Sequence, residues 1–192
     1  SRYGYAEGVA DFIARIENDK KYSFRLVNEL FDNFSADKAE LASMVFEKCE
    51  EYMKINVIKA ISDYCLFEFE PMYIDGTSSK NPAMRIACVK ALGDLANPKN
   101  EQLLITATYD KDWVVRSSAV KGLGKIDTPR SLEGIKEAIK DKEWWVRQAA
   151  AGALINRNVS ISDIEDILGG YDKYAADAVK YALYRSIDMK EG

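Results

Sequence analysis

The sequence contains no histidine, an absence that removes at once the most common general base and the most common metal ligand. Cysteine is scarce as well. Cys49, Cys65 and Cys88 are odd in number and share no C-x-x-C spacing, which argues against a disulfide framework and against a thiolate zinc site. They read as reduced, small core residues of an intracellular protein. No apolar run reaches the roughly 18 to 20 residues that a membrane span needs, and no charged-then-apolar leader of the signal-peptide kind is present. An excess of positive charge is missing too: 27 Lys and Arg face 31 Asp and Glu, for a net charge of -4. A basic stripe able to release counterions from phosphates is therefore not expected. From these absences we expect no catalytic residue, no metal, no cofactor and no nucleic-acid partner. The expected location is the cytoplasm, or the cytoplasmic face of a membrane if a segment upstream of Ser1 is an anchor; the residues present promise no membrane contact of their own.

What is present is a period. Arg85, Arg116 and Arg147 are 31 residues apart, as are Leu92, Leu123 and Leu154, then Asp110 and Asp141, Trp113 and Trp144, Pro98 and Pro129. Counting back once more from Met84, Val89 and Leu92 gives Met53, Ile58 and Ile61, a degenerate fourth copy. A fixed period of 20 to 50 residues is the signature of a stacked repeat protein, whose units bury their apolar faces only against their neighbours. The chain is thus expected to be a single all-α domain over 1–192. Diverged helices occupy 1–52, repeats 53–168, and a capping helix 169–192.

Within that frame, Val9, Phe12, Ile13 and Ile16 form the apolar stripe of a leading helix. Tyr22, Leu26, Val27, Leu30, Phe31 and Phe34 continue the spacing through a second helix, and Ser35 is the expected cap of a third. Leu66 to Asn81 departs from the template. Pro71 fits only a first helical turn and Gly76 with Thr77, Ser78 and Ser79 reads as loop, so any helix there is short. The punctuation then becomes regular. Asn81-Pro82, Asn97-Pro98 and Thr128-Pro129 each set a capping side chain before a proline at the first helical position, where the missing N–H costs nothing. Ser162 with Glu165 makes a capping-box pattern, and Gly169-Gly170 closes that helix. Helix pairs are expected over 81–95 with 98–109, 111–125 with 129–140, and 142–156 with 162–168, followed by a last helix over 172–187. In that last helix Tyr171, Tyr174, Tyr181 and Tyr184 suit the half-polar outer face of a terminal unit.

Asp110-x-x-Trp113-x-Val115-Arg116-x-x-Ala119 and Asp141-x-x-Trp144-x-Val146-Arg147-x-Ala149-Ala150, each running on to Leu123 or Leu154, resemble the HEAT repeat. They are most similar to the short bacterial variety called the phycobilisome-lyase or HEAT-like repeat. The resemblance covers about 81–168 clearly and 53–64 weakly. It implies a right-handed α-α superhelix, a HEAT-like solenoid of antiparallel helix pairs whose second helices line the concave face. It also implies a ladder of Asp and Arg between adjacent repeats, here Asp110, Arg116, Asp141, Arg147 and Arg85. Because Ser79 stands where an aspartate would precede Arg85 and Lys54 replaces the arginine altogether, the ladder is expected to weaken toward the N-terminus.

The function this implies is a non-enzymatic scaffold whose partner is another protein, held on the concave face. Arg130, Glu133, Lys136, Glu137 and Lys140 offer that face a mixed-sign surface, and Trp113, Trp144 and Trp145 add aromatic area. Trp113 and Trp144 share one repeat position and are expected to pack between repeats, whereas Trp145 aligns with Val114 and is left over. Two alternatives come with the family: a bilin-lyase-like enzyme or enzyme subunit, and a HEAT-like alkylpurine DNA glycosylase, for which the tryptophans and Asp112 would be the starting point.

Overall fold

A computed structural model of the chain describes residues 38–62, 64, 67–157 and 159–191, with scattered positions before residue 38. Among the described residues the regular elements are helical throughout. The chain divides into two compact units, Ser1–Tyr73 and Ile74–Gly192.

In the first unit α1 (Lys38–Lys48) packs against α2 (Glu51–Ser62). Leu41 and Val45 of α1 and Met53, Val57, Ile58 and Ile61 of α2 are fully buried, which is the apolar stripe the spacing predicts. Ile13 and Val27 are buried as well. The other apolar residues expected in the stripes of the two leading helices, and the expected cap at Ser35, lie outside the described residues. Past Tyr64, whose hydroxyl donates to Asp32 Oδ1 at 2.7 Å, the irregular stretch becomes a 3₁₀ turn (Phe67–Phe69) and the two-turn α3 (Glu70–Gly76). Pro71 is the second residue of α3, where its missing N–H leaves no bond unmade.

The second unit stacks helix pairs. First helices α4 (Pro82–Leu95), α6 (Trp113–Leu123), α8 (Trp144–Asn156) and α10 (Lys173–Glu191) pack each against the next. Second helices α5 (Glu101–Ala107, preceded by a 3₁₀ turn over Pro98–Asn100), α7 (Pro129–Ala138) and α9 (Ile161–Gly169) form the other layer, α5 on α4 and α6, α7 on α6 and α8, α9 on α10. Asn81, Asn97 and Thr128 each accept a backbone N–H at the helix start that follows them, ahead of a proline. The cap of α9 differs from expectation. Ser160, not Ser162, accepts the Asp163 N–H and donates to the Asp163 carboxylate, so the helix starts at Ile161. The competing pair two residues downstream has the right letters but lies inside the first turn.

Between the layers Leu92, Leu123, Leu154, Val120, Val146, Leu104 and Ile135 are fully buried. Small residues set the spacing. A Cβ on Gly93 or Gly122 would lie 2.7–2.8 Å from the other glycine's Cα, so α4 and α6 meet backbone to backbone. Gly76 is constrained similarly, since a Cβ there would fall 2.3 Å from Cys88 Sγ.

Two substitutions separate these effects. Leu123→Ala is expected to cost about 2–5 kcal/mol through lost burial and a cavity. Gly122→Ala should cost about 1–3 kcal/mol, despite the better helix propensity of alanine, because α4 must move away. Urea unfolding of both variants checks this, and a neutral or stabilising Gly122→Ala would refute the close approach.

Candidate functional site

Three arginines lie one turn inside successive first helices, and all are buried. Each turns its Nη1 back to the loop before its own helix: Arg85 to the Ser79 and Lys80 carbonyls, Arg116 to those of Asp110 and Lys111, Arg147 to those of Asp141 and Lys142. The other edge of the fork reaches forward one repeat. Arg85 Nε and Nη2 donate to the two Asp110 oxygens at 2.8 and 2.9 Å, and Arg116 Nε and Nη2 to those of Asp141 at 2.7 and 2.9 Å. These are side-on, bidentate pairs, the strong geometry for guanidinium and carboxylate. Asp110 and Asp141 also accept the N–H two residues on, from Asp112 and Glu143. The pairing runs from each arginine to the aspartate 25 residues later, so Ser79 and its missing carboxylate do not weaken the Arg85 link. The gap in the ladder is at the other end, where Arg147 Nε has no hydrogen-bond partner among the described residues.

A groove of this unit runs along the first helices. Its walls are Trp113, Ser117 and Lys121 of α6 and Ala182, Arg185 and Ser186 of α10, and its floor is α8, with Trp145, Gln148, Ala149, Gly152, Ile155 and Asn156. Its volume is about 740 Å³, and among the described residues no carboxylate lines it. The small residues Ala149 and Gly152 leave the trough between the flanking helices. Trp145 is 60% exposed, Trp113 41% and Trp144 38%.

With this geometry in view, residues 70–155 match the family model described as HEAT repeats. Residues 70–155 are HEAT repeats. One solved structure, the complex of CpcE and CpcF of phycocyanin lyase from Nostoc sp. PCC7120, shares the fold with a TM-score of 0.56 over 76% of this chain and 97% of that chain, at 21% sequence identity. No curated protein matches the sequence. The all-α stack of HEAT-like helix pairs is therefore the architecture of the second unit.

The HEAT repeats divide the residues expected on one partner face between two places. Trp113, Trp144 and Trp145 sit on first helices, whereas Arg130, Glu133, Lys136, Glu137 and Lys140 belong to α7 or its end. On that second-helix side most charges already have partners. Lys136 pairs with Asp163 at 2.6 Å, Lys140 with Glu137 at 3.0 Å, Arg130 donates to Gln102, and Thr128 donates to Glu101. Trp144 meets Tyr181 edge-on with ring centroids 5.7 Å apart, so its packing partner comes from α10 and not from Trp113. Asp112 caps α6 by accepting the Val114 N–H at 2.8 Å. Arg157 escaped the sequence reading. It donates to the carbonyls of Ile126 and Thr128, to Ser131 Oγ and to Asp127, tying the end of α8 to the loop before α7. The signal was in the period, because Ile126 and Leu95 are apolar at the positions 31 and 62 residues earlier.

Among the described residues no helix is long and apolar enough to cross a membrane. Burial, with the Asp75 charge, pushes the Cys88 thiol up to about 12, which disfavours the thiolate form.

The HEAT ladder carries a pH dependence. Burial raises the Asp141 carboxyl, but the Arg116 fork, the Glu143 N–H and the charges of Arg116 and Lys142 outweigh it and hold the pKa below the ordinary 3.8. Asp110 is lowered likewise: burial raises it, and the Arg85 fork, the Asp112 N–H and the Arg85 and Lys111 charges outweigh that. A folded pKa below the unfolded one gives stability that is complete above the ordinary value and lost as pH falls through the folded values. Thermal unfolding between about pH 5 and pH 1 should show that loss, and Asp141→Asn should flatten it. Asp141→Ala at neutral pH is expected to cost about 3–5 kcal/mol, because Arg116 would be left buried without a counter-charge. An unchanged Tm would refute the ladder.

Proposed function

We propose that the chain is a non-enzymatic scaffold that docks an acidic, partly apolar segment of another protein in the groove between Trp113 and Trp145. The lining carries this reading: exposed indoles over a floor of small residues, with Lys121 and Arg185 and no carboxylate, on a chain whose net charge is -4. An amphipathic helix would lay its apolar side on Trp113, Trp145 and Ile155 and its carboxylates near the two cations. Tryptophan and arginine are the side chains that most often dominate such interfaces, because they bury large area and keep one polar edge. The second-helix face is the weaker candidate for the same scaffold role, since a partner there would first displace the Lys136–Asp163 and Lys140–Glu137 pairs.

The test is binding of synthetic amphipathic helical peptides, followed by tryptophan fluorescence and by capture on the full chain. An acidic peptide should bind and a basic one of equal hydrophobicity should not. Trp145→Ala combined with Arg185→Glu should weaken binding about tenfold or more, with circular dichroism unchanged. Lys136→Glu combined with Lys140→Glu should leave it intact. If that second pair abolishes binding and the first does not, the contact surface belongs on α7.

A second reading has its own support. A groove of about 740 Å³ lies in the range of small-molecule sites, its two cations suit a dicarboxylate, and the fold is that of a phycocyanin lyase complex. The chain would then be a lyase-like enzyme or enzyme subunit holding a tetrapyrrole. A saturable absorbance shift on adding a tetrapyrrole, lost in Lys121→Glu with Arg185→Glu, would favour it; an unshifted spectrum would count against it.

A further inference from the structure

Arg147 is only 7% exposed, yet among the described residues its Nε has no hydrogen-bond partner. Leaving such a donor unpaired costs more than any ordinary hydrogen bond returns, and more still on a charged group. In the two preceding repeats the same edge of the same arginine holds a carboxylate side-on. Asp172 stands at the matching position, 25 residues on. Its Oδ1 accepts the Tyr174 and Ala175 N–H groups and caps α10 without bonding Arg147 Nε. The backbone accounts for the difference. The chain leaves α5 and α7 through residues in helical conformation, Thr108 and Ile139, but leaves α9 through an extended Gly170, so the next aspartate is delivered differently.

The surroundings of the open edge are those of a site. Arg147, Asp172 and Tyr174 line a cavity of about 440 Å³ together with Lys140, Lys142 and Asp141, whose own carboxylate is already held by Arg116. The guanidinium lies 5.8 Å from the Trp144 ring centroid and 5.3 Å from that of Tyr174. Two aromatic faces flank the planar fork and stabilise its charge, and neither gives the buried Nε an acceptor.

We infer that the Arg147 fork, between Trp144 and Tyr174, is a carboxylate-binding site that takes from a ligand the group Asp110 and Asp141 supply within the chain. The chemistry is a planar carboxylate accepting two parallel N–H bonds, with Lys140 and Lys142 adding positive potential at the mouth. The source is either an Asp or Glu side chain of a partner protein or a free small carboxylate. The site stands on the loop edge at the start of α8 and α10, and it does not depend on the groove reading.

The test follows the arginine Nε–H signals of the full ¹⁵N-labelled chain. Sodium acetate is the free-carboxylate probe, and a blocked, amidated peptide carrying one glutamate is the protein-side probe. Sodium chloride at matched ionic strength is the control. The Arg147 signal should shift saturably with acetate or peptide and stay still with chloride, while the Arg85 and Arg116 signals hold. Peptide binding at least about tenfold tighter than acetate would assign the site to a protein side chain, and equal affinity to a small carboxylate. Tyr174→Leu, an exposed position, should weaken binding about two- to fivefold. Arg147→Lys, which keeps the charge and loses the fork, should abolish any rise in Tm caused by acetate. The inference is overturned if neither carboxylate moves the Arg147 signal, if the acetate effect on Tm persists in Arg147→Lys, or if Asp172→Asn alone moves that signal, since Asp172 would then be filling the fork itself.

Discussion

The second unit depends on what happens to a guanidinium taken out of water at the start of each first helix. A buried arginine has five N–H donors and a full charge, and it is tolerable only if both are met. In this chain one edge of each fork is met locally, by two carbonyls of the loop before its helix, and that loop geometry is the same in all three copies. The other edge can be met only by the next repeat. The requirement fixes how far one first helix lies from the loop that follows its neighbour, and the Gly93–Gly122 contact shows how closely the helices then meet. Neither feature would make sense without the other, because a bulkier contact would carry Arg85 away from Asp110.

The same bookkeeping of satisfied and unsatisfied groups separates the two faces of the stack. The second-helix side offers many charges, but several are engaged across repeats, Lys136 by the Asp163 carboxylate and Arg130 by the Gln102 amide. On the first-helix side Lys90 and Lys125 close on Asp94, whereas Lys121 and Arg185 meet no acid in the groove that they line. Mixed charge along a helix therefore says little about binding until the cross-repeat partners are known. Arg147 is the place where the two considerations meet, a repeated structural group whose structural partner is turned elsewhere.

Much of this architecture was legible in one dimension. The 31-residue spacing of leucines, alanines and arginines set the helix pairs, and the Asn-Pro and Thr-Pro pairs marked their starts, because those residues satisfy local backbone needs that any fold must meet. The short α3 was also legible, since Pro71 and Gly76 restrict the backbone wherever they stand. The start of α9 was not. Ser160 and Ser162 are both good caps three residues ahead of an acidic side chain, and local chemistry alone does not choose between them. Arg157 was passed over because its partners are 26 to 31 residues earlier in the chain.

The direction in which the ladder fails shows the same limit. Read along the chain, each arginine appears beside the aspartate six residues before it, and by that pairing Arg85 is the poor one. In space the arginine takes only the backbone carbonyl of that residue and the carboxylate of the following repeat, so Arg85 is complete and Arg147 is open. The sequence by itself determined the period, the helix pairs and which residue types are buried, because these follow from spacing and from groups satisfied within a few residues. Tertiary structure alone decided which charges are paired, which tryptophans face water and where an unfilled donor remains, because those depend on partners a whole repeat away.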